Sequence, residues 1–292
     1  MEFMEYSDLE PGAALPLNIG ILNMPNEDYH ASAGIGNSGL GLVARSPAHY
    51  NYAPAKDSTR AMVIGSAIHC SLLEPEKFAE EYLLLRDVKD RRASAYKEAV
   101  KAHGNGDFVL TAGESDQVKG MQDSVYAQQH AKALLETDGT REVAIYTKDK
   151  ETGVIVKIKI DILTASGRII DLKKTTDSRP EAFSKSIFNY RYHVQAAFYS
   201  DVYEWATGEK LATYGILCVE QEIPNAAMLY VIDDEALAMG RALYRKALNT
   251  YAKCMESKEW PAYSDKPQII SLPPWGLKQN EAELATGVES NE

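Results

Sequence analysis

Residues 154–173 constrain the fold more than any other stretch of this chain. Val154-Ile155-Val156-Lys157-Ile158-Lys159-Ile160 and Arg168-Ile169-Ile170 are β-branched and alternating, which predicts two antiparallel strands. Ala165-Ser166-Gly167 between them reads as a three-residue turn with Gly167 in the left-handed position. Such a loop pairs 164 with 168, 163 with 169 and 162 with 170, and sets Asp161 opposite Asp171. Val154, Val156, Ile158 and Ile160, with Ile170 and Leu172 of the second strand, then form an apolar face, and Asp161, Asp171 and Lys173 occupy the other. Two carboxylates at cross-strand distance repel unless a cation lies between them, so the pattern predicts a divalent metal site with an ammonium at its edge. A solvated strand face would explain an isolated D-x-K equally well. Here the rest of the hairpin is core-forming, and its one polar face needs a reason.

The remainder of the chain supplies enough apolar material to enclose such a hairpin. With 292 residues and 45% hydrophobic content, one large domain can form. No run of 18 apolar residues occurs and the first residues are acidic, so neither a membrane span nor a signal peptide is expected, and the cytoplasm is the expected compartment. Cys70, Cys218 and Cys254 are odd in number and scattered, which argues against disulfides and against a zinc or iron–sulfur cluster. The net charge of −11 argues against an all-basic nucleic-acid surface. The distribution qualifies this, because residues 145–191 hold ten basic and six acidic side chains.

The expected organisation is an irregular segment over 1–20, a mainly helical part over 21–140, a sheet-containing core over 141–275 and a disordered acidic tail over 276–292. Helices are expected from Asn37 or Ser38 to Ser46, over 59–73, 93–102 and 114–136, from Pro180, over 193–207 ending at Gly208, and over 234–255. Strands are expected at 142–146, 213–222 and 227–232. The fold class is α/β (α+β), a central mixed sheet flanked by helices with helical N-terminal additions.

Three further residues can join the carboxylates. His69 follows Gly65 by one helical turn, which would let a substrate approach the helix face carrying the imidazole, and Gln195 and Tyr199 share a helix face four residues apart. The ordered set Gly65-x-x-x-His69, Asp161, Asp171-Leu172-Lys173 and Gln195-x-x-x-Tyr199 resembles the PD-(D/E)XK nuclease superfamily in its RecB-like branch. More narrowly it resembles the phage and prophage exodeoxyribonuclease VIII (RecE-type) nucleases, with similar blocks at 37–50, 65–78, 192–199 and 260–275. Ile160 stands where the superfamily's name places proline, and Lys159 stands near a frequent arginine. Glu142 matches a recurrent acidic position to which no role is assigned.

The resemblance implies that His69, Asp161, Asp171 and the Leu172 carbonyl ligate Mg²⁺ or Mn²⁺, without an iron–sulfur cluster. It implies that Lys173 orients or deprotonates the attacking water and that Gln195 and Tyr199 position the site. Lys157, Lys159, Lys174 and Arg191 are expected to contact DNA. The implied activity is 5′→3′ degradation of linear duplex DNA, leaving 3′ single strands for an annealing partner of the RecT type, in a ring-like trimer or tetramer with a basic interior. An endonuclease or flap nuclease, or an inactive DNA-binding module, are the alternatives.

Overall fold

Two short strands open the chain, β1 (Phe3–Glu5) and β2 (Gly20–Leu22), paired in parallel. β1 lies inside the segment expected to be irregular, and β2 begins at its end. A computed structural model describes residues 1–54 and 58–286. Helices α1 (Asn26–Ala31), α2 (Asn37–Arg45), α3 (Pro47–Asn51), α4 (Arg60–Leu73) and α5 (Pro75–Glu81) follow. Thr59 caps α4 by accepting the Met62 N–H, and Ser46 ends α2 while capping α3. Next come β3 (Leu83–Leu85), α6 (Ser94–His103), β4 (Val109–Thr111), α7 (Ala112–Ala127) and α8 (Gln129–Leu135). The helix predicted over 114–136 is thus two, broken at Gln128, whose side chain caps α8.

The core follows as β5 (Gly139–Lys148), β6 (Ile155–Thr164), β7 (Arg168–Thr175), α9 (Pro180–Asn189), α10 (Tyr192–Thr207), β8 (Thr213–Glu220), β9 (Ala227–Val231) and α11 (Asp234–Ser257). Among the described residues the main sheet has the order β1-β2-β5-β6-β7-β8-β9. It is mixed: β1–β2 and β7–β8 are parallel and the other neighbours antiparallel. Residues 1–260 form one unit and residues from 261 onward a second. In the second unit α12 (Pro274–Thr286) is helical where a disordered tail is expected, and 287–292 lie outside the described residues. Among the described residues no helix is long and apolar enough to cross a membrane.

The hairpin turn forms as its residues dictate. Gly167 has φ +71° and its N–H bonds the Thr164 carbonyl at 3.0 Å, and the ladder pairs Ile162 with Ile170 and Leu163 with Ile169. Among the described residues the two larger clusters of buried side chains cover opposite faces of the sheet. On one face Val143, Ile145, Val156, Ile158, Ile160, Ile169 and Ile216 pack with Phe183, Val194, Phe198, Tyr244 and Leu248 from α9, α10 and α11. On the other, Ile162, Ile170, Leu172, Leu217 and Val219 pack with Val63, Ile64, Ala67 and Ile68 of α4 and Val118 and Met121 of α7. Each Val, Ile, Leu, Phe or Met side chain among them contributes about 1.5–3 kcal/mol by leaving water.

The expected single apolar face of the hairpin is therefore corrected. Ile160 belongs to one core, and Ile162, Ile170 and Leu172 to the other. The alternation breaks at Asp161, where the β5–β6 ladder skips both Asp161 and Glu142, the latter with φ +52°. Val143 on one side of it faces the α10 core, while Arg141 on the other reaches the carbonyls of Leu135 and Thr137 beside the α4 core. A glutamate held in the left-handed region costs about 1 kcal/mol or more, so the surroundings must impose it.

Candidate active site

The β6–β7 ladder stops at Ile162–Ile170, and the strands part at the two aspartates. Asp161 is therefore not a ladder partner of Asp171. Its Oδ2 instead accepts the Leu172 N–H at 2.6 Å, a bond that a continued ladder would have made with backbone. The side chain holds the fork open and leaves the Leu172 carbonyl free to turn outward. That carbonyl meets His69 Nε2 at 2.9 Å. His69 comes from α4, whose apolar residues seat it on this face of the sheet, and a Cβ at Gly65 one turn earlier would meet nothing within 4 Å. The helix face beside the imidazole is open, as the Gly-x-x-x-His spacing predicts.

Glu142 also joins the group. Its Oε1 lies 3.9 Å from His69 Nδ1 and its Oε2 lies 3.0 Å from Lys159 Nζ, while Asp161 Oδ2 lies 3.7 Å from His69 Nε2. One ligand atom from each of His69, Glu142 and Asp161 falls within 4.8 Å of the other two. The unusual φ at Glu142 aims its carboxylate into the site. The signal available in sequence was an acid at the head of the apolar run 143–146, at the recurrent acidic position to which no role is assigned.

Asp171 points to the α10 side of the fork. Its Oδ1 accepts from Gln195 Nε2 at 2.7 Å, and its Oδ2, shut off from solvent, lies 2.5 Å from Lys173 Nζ. Gln195 thus holds one oxygen of Asp171. Tyr199, one turn on, has its hydroxyl against Gln195 and the Lys159 backbone, and burial followed by the charges of Asp171 and Asp161 raises its pKa far above the ordinary range.

Electrostatics couples these groups. Burial opposes charge on His69, but Asp161 and Glu142 outweigh it and hold the imidazole up at about 9, with both ring nitrogens facing acceptors. Burial pushes Asp161 up to about 7, against the pull of His69 and with the repulsion of Asp171 and Glu142. For Glu142, burial is overcome by His69 and Lys159, and its carboxyl falls to about 2. Burial likewise fails to discharge Lys173, because Asp171 and Asp161 raise its pKa.

The donor set fits a hard divalent cation. Ligand atoms in neighbouring positions of an octahedral Mg²⁺ or Mn²⁺ shell at about 2.1 Å lie about 3 Å apart. The 2.9 Å between His69 Nε2 and the Leu172 oxygen and the 3.7 Å from Nε2 to Asp161 Oδ2 are close to that spacing. Carboxylates, a carbonyl and one imidazole suit Mg²⁺ or Mn²⁺ better than a thiophilic metal. Three of the four expected ligands (His69, Asp161 and the Leu172 carbonyl) converge, Glu142 stands beside them, and both oxygens of Asp171 already face protein cations or donors.

The basic residues expected on DNA are placed differently from one another. Lys157 is corrected: it is 6% exposed and its Nζ donates to the carbonyls of Tyr29 and Ser32 at 2.7 Å each, closing the end of α1. Lys159 is tied to Glu142, Met24 O and Asn26 Oδ1. Lys174 donates to Gln221 Oε1 at 2.7 Å. Arg191 is half-buried at the start of α10, in a left-handed conformation.

Comparison with known proteins agrees with this architecture. A crystal structure named "Putative exonuclease" from Eubacterium rectale aligns with 86% of this chain and 96% of its own at TM-score 0.55 and 15% identity, a likeness of fold. A phage related exonuclease from Haemophilus somnus aligns with 80% of this chain and 100% of its own at TM-score 0.35 and 10% identity. No curated protein matches the chain. The central mixed sheet flanked by helices is a PD-(D/E)XK-like fold. A family model described as "PDDEXK-like domain of unknown function (DUF3799)" matches residues 42–273, and the chain belongs to that family.

Proposed function

We propose that this protein is a metal-dependent exodeoxyribonuclease that resects linear double-stranded DNA in the 5′→3′ direction, leaving a 3′ single strand for an annealing protein of the RecT type. The observation that carries the hydrolytic part is the meeting of His69, Glu142, Asp161, the Leu172 carbonyl and the Asp171–Lys173 pair at the fork of β6 and β7. Polarity, partner and a ring-like trimer or tetramer rest on the resemblance to RecE-type nucleases.

In this reading His69, Asp161 and the Leu172 carbonyl hold Mg²⁺ or Mn²⁺, with Glu142 and Asp171 at the edge of the shell. A divalent cation there supplies Lewis acidity toward the scissile phosphate. Lys173, as an ammonium, has three donors and no acceptor, so it orients the attacking water and offsets negative charge growing on the phosphoryl oxygens. Asp171 keeps Lys173 charged and aimed, and Gln195 keeps Asp171 in place. Lys159 partly neutralises Glu142 and limits the repulsion among three carboxylates in one buried site. Lys174 and Arg191 remain as candidates for contact with the DNA backbone.

The test is release of nucleotides from linear duplex DNA with Mg²⁺ and its absence with EDTA. A closed circular duplex should survive. Cutting of the circle would replace the exonuclease reading with an endonuclease, and no cleavage of either DNA with Mg²⁺ or Mn²⁺ would overturn the nuclease reading.

A further inference from the structure

A column of aromatic rings runs from the core to the rim of the candidate site. Tyr230 of β9, the part-exposed edge strand, donates its hydroxyl to the Ser178 carbonyl and stacks its ring on the core residue Phe183 at 5.1 Å and 13°. Phe183, 1% exposed, is followed by Tyr192 at 6.2 Å, and Tyr192 by Tyr190, stacked at 5.6 Å and 27°. Lys173 Nζ lies 5.1 Å from the centre of the Tyr192 ring, so the column passes beside the ammonium placed at the reacting phosphate. Its outer end is open: Tyr190 is 68% exposed, and Phe188 near it in sequence is 75% exposed. Arg191, between the two tyrosines, adds a positive charge.

A singly exposed tyrosine needs no explanation. This one caps a rigid stack fixed in the core, at the junction of α9 and α10, beside Lys173. An aromatic face of that kind, next to cations, suits a nucleobase freed from its pair, because every base presents a π-face and its phosphate presents charge to the neighbouring lysine or arginine. A paired base inside a duplex offers no free face. We propose that Tyr190, backed by Tyr192, is a stacking platform for an unpaired nucleobase of the strand whose phosphate lies at Lys173, so that the protein engages DNA whose end is locally opened. The proposal rests on the nuclease reading above and names a feature of the substrate that reading leaves open.

The platform can be tested by placing the fluorescent base 2-aminopurine at the unpaired terminus of an otherwise duplex oligonucleotide, with Ca²⁺ in place of Mg²⁺ to hold back cleavage. The 292-residue chain should quench the fluorophore. Tyr190→Ala should lose the quenching and bind this DNA about tenfold more weakly, whereas Tyr190→Phe should keep both. Affinity for a blunt, GC-clamped duplex should fall much less, and the thermal unfolding midpoint of Tyr190→Ala should match the wild type. Wild-type quenching and affinity in Tyr190→Ala would overturn the platform while leaving nuclease activity with Mg²⁺ intact. If the wild-type chain neither binds nor cleaves DNA, the nuclease reading fails and the platform with it.

Discussion

At the scale of single residues, the site is a balance of charges that no one side chain could hold alone. Three carboxylates, a histidine and two lysines share one partly buried space, and the neighbouring charges shift His69, Glu142, Asp161 and Lys173 from their ordinary ranges. A cation that takes His69 Nε2 must displace its proton, and the Asp161 carboxyl must also be ionised to ligate. With His69 at about 9 and Asp161 at about 7, the metal-free protein holds more protons at neutral pH than at pH 9. The apparent affinity for Mg²⁺ should therefore rise with pH across that window, by up to about tenfold per unit for each proton displaced. Titrations of activity against Mg²⁺ at pH 7 and pH 9 check this, and equal affinities would argue that His69 is not a ligand. Lys157 shows how a correct local pattern misleads at this scale. It alternates with Lys159 on the polar edge of β6, but residues 29–35 lie across that edge, and Ile35 pairs with Val156. Sequence alternation marks the face without saying what covers it.

At the scale of elements, the junction of α10 and α11 is set by one glycine. A Cβ at Gly240 would sit 2.2 Å from the His193 carbonyl oxygen. In an exposed helix, glycine to alanine stabilises by about 1 kcal/mol. Here the sign should reverse, and Gly240→Ala should destabilise by about 1–3 kcal/mol because the helix carrying Gln195 and Tyr199 must move away. A denaturant midpoint at or above that of the wild type would show that the junction has slack. Local chemistry made the elements legible. The register of Ile162 with Ile170 follows from the three-residue turn and Gly167, α4 from its apolar spacing, and the end of α10 from Gly208. The twist at Glu142 was not legible, because the left-handed conformation of a glutamate is imposed by groups distant in the chain. The pairing of β1 with β2 was hidden for the same reason: three-residue strands carry too little periodicity to read.

At the scale of the whole molecule, a chain of net charge −11 is proposed to act on a polyanion. The excess of basic residues over 145–191 is partly consumed internally, since Lys157, Lys159 and Lys174 all have protein partners. If the chain binds DNA as proposed, each copy brings fewer cations than its sequence suggests, and a ring of several chains would gather them. Light scattering on the purified protein should give a mass of three or four times 32.3 kDa, and a monomer at micromolar concentration would remove the ring from the account. The central claim is that the fork of β6 and β7 is a hydrolytic centre. Lys173→Ala bears on it most directly, because it removes an ammonium at the site while leaving His69, Asp161 and the metal donor set in place. On linear duplex DNA with Mg²⁺, the variant should bind with nearly wild-type affinity and release nucleotides at least about a hundredfold more slowly. Near wild-type turnover by Lys173→Ala would contradict the account.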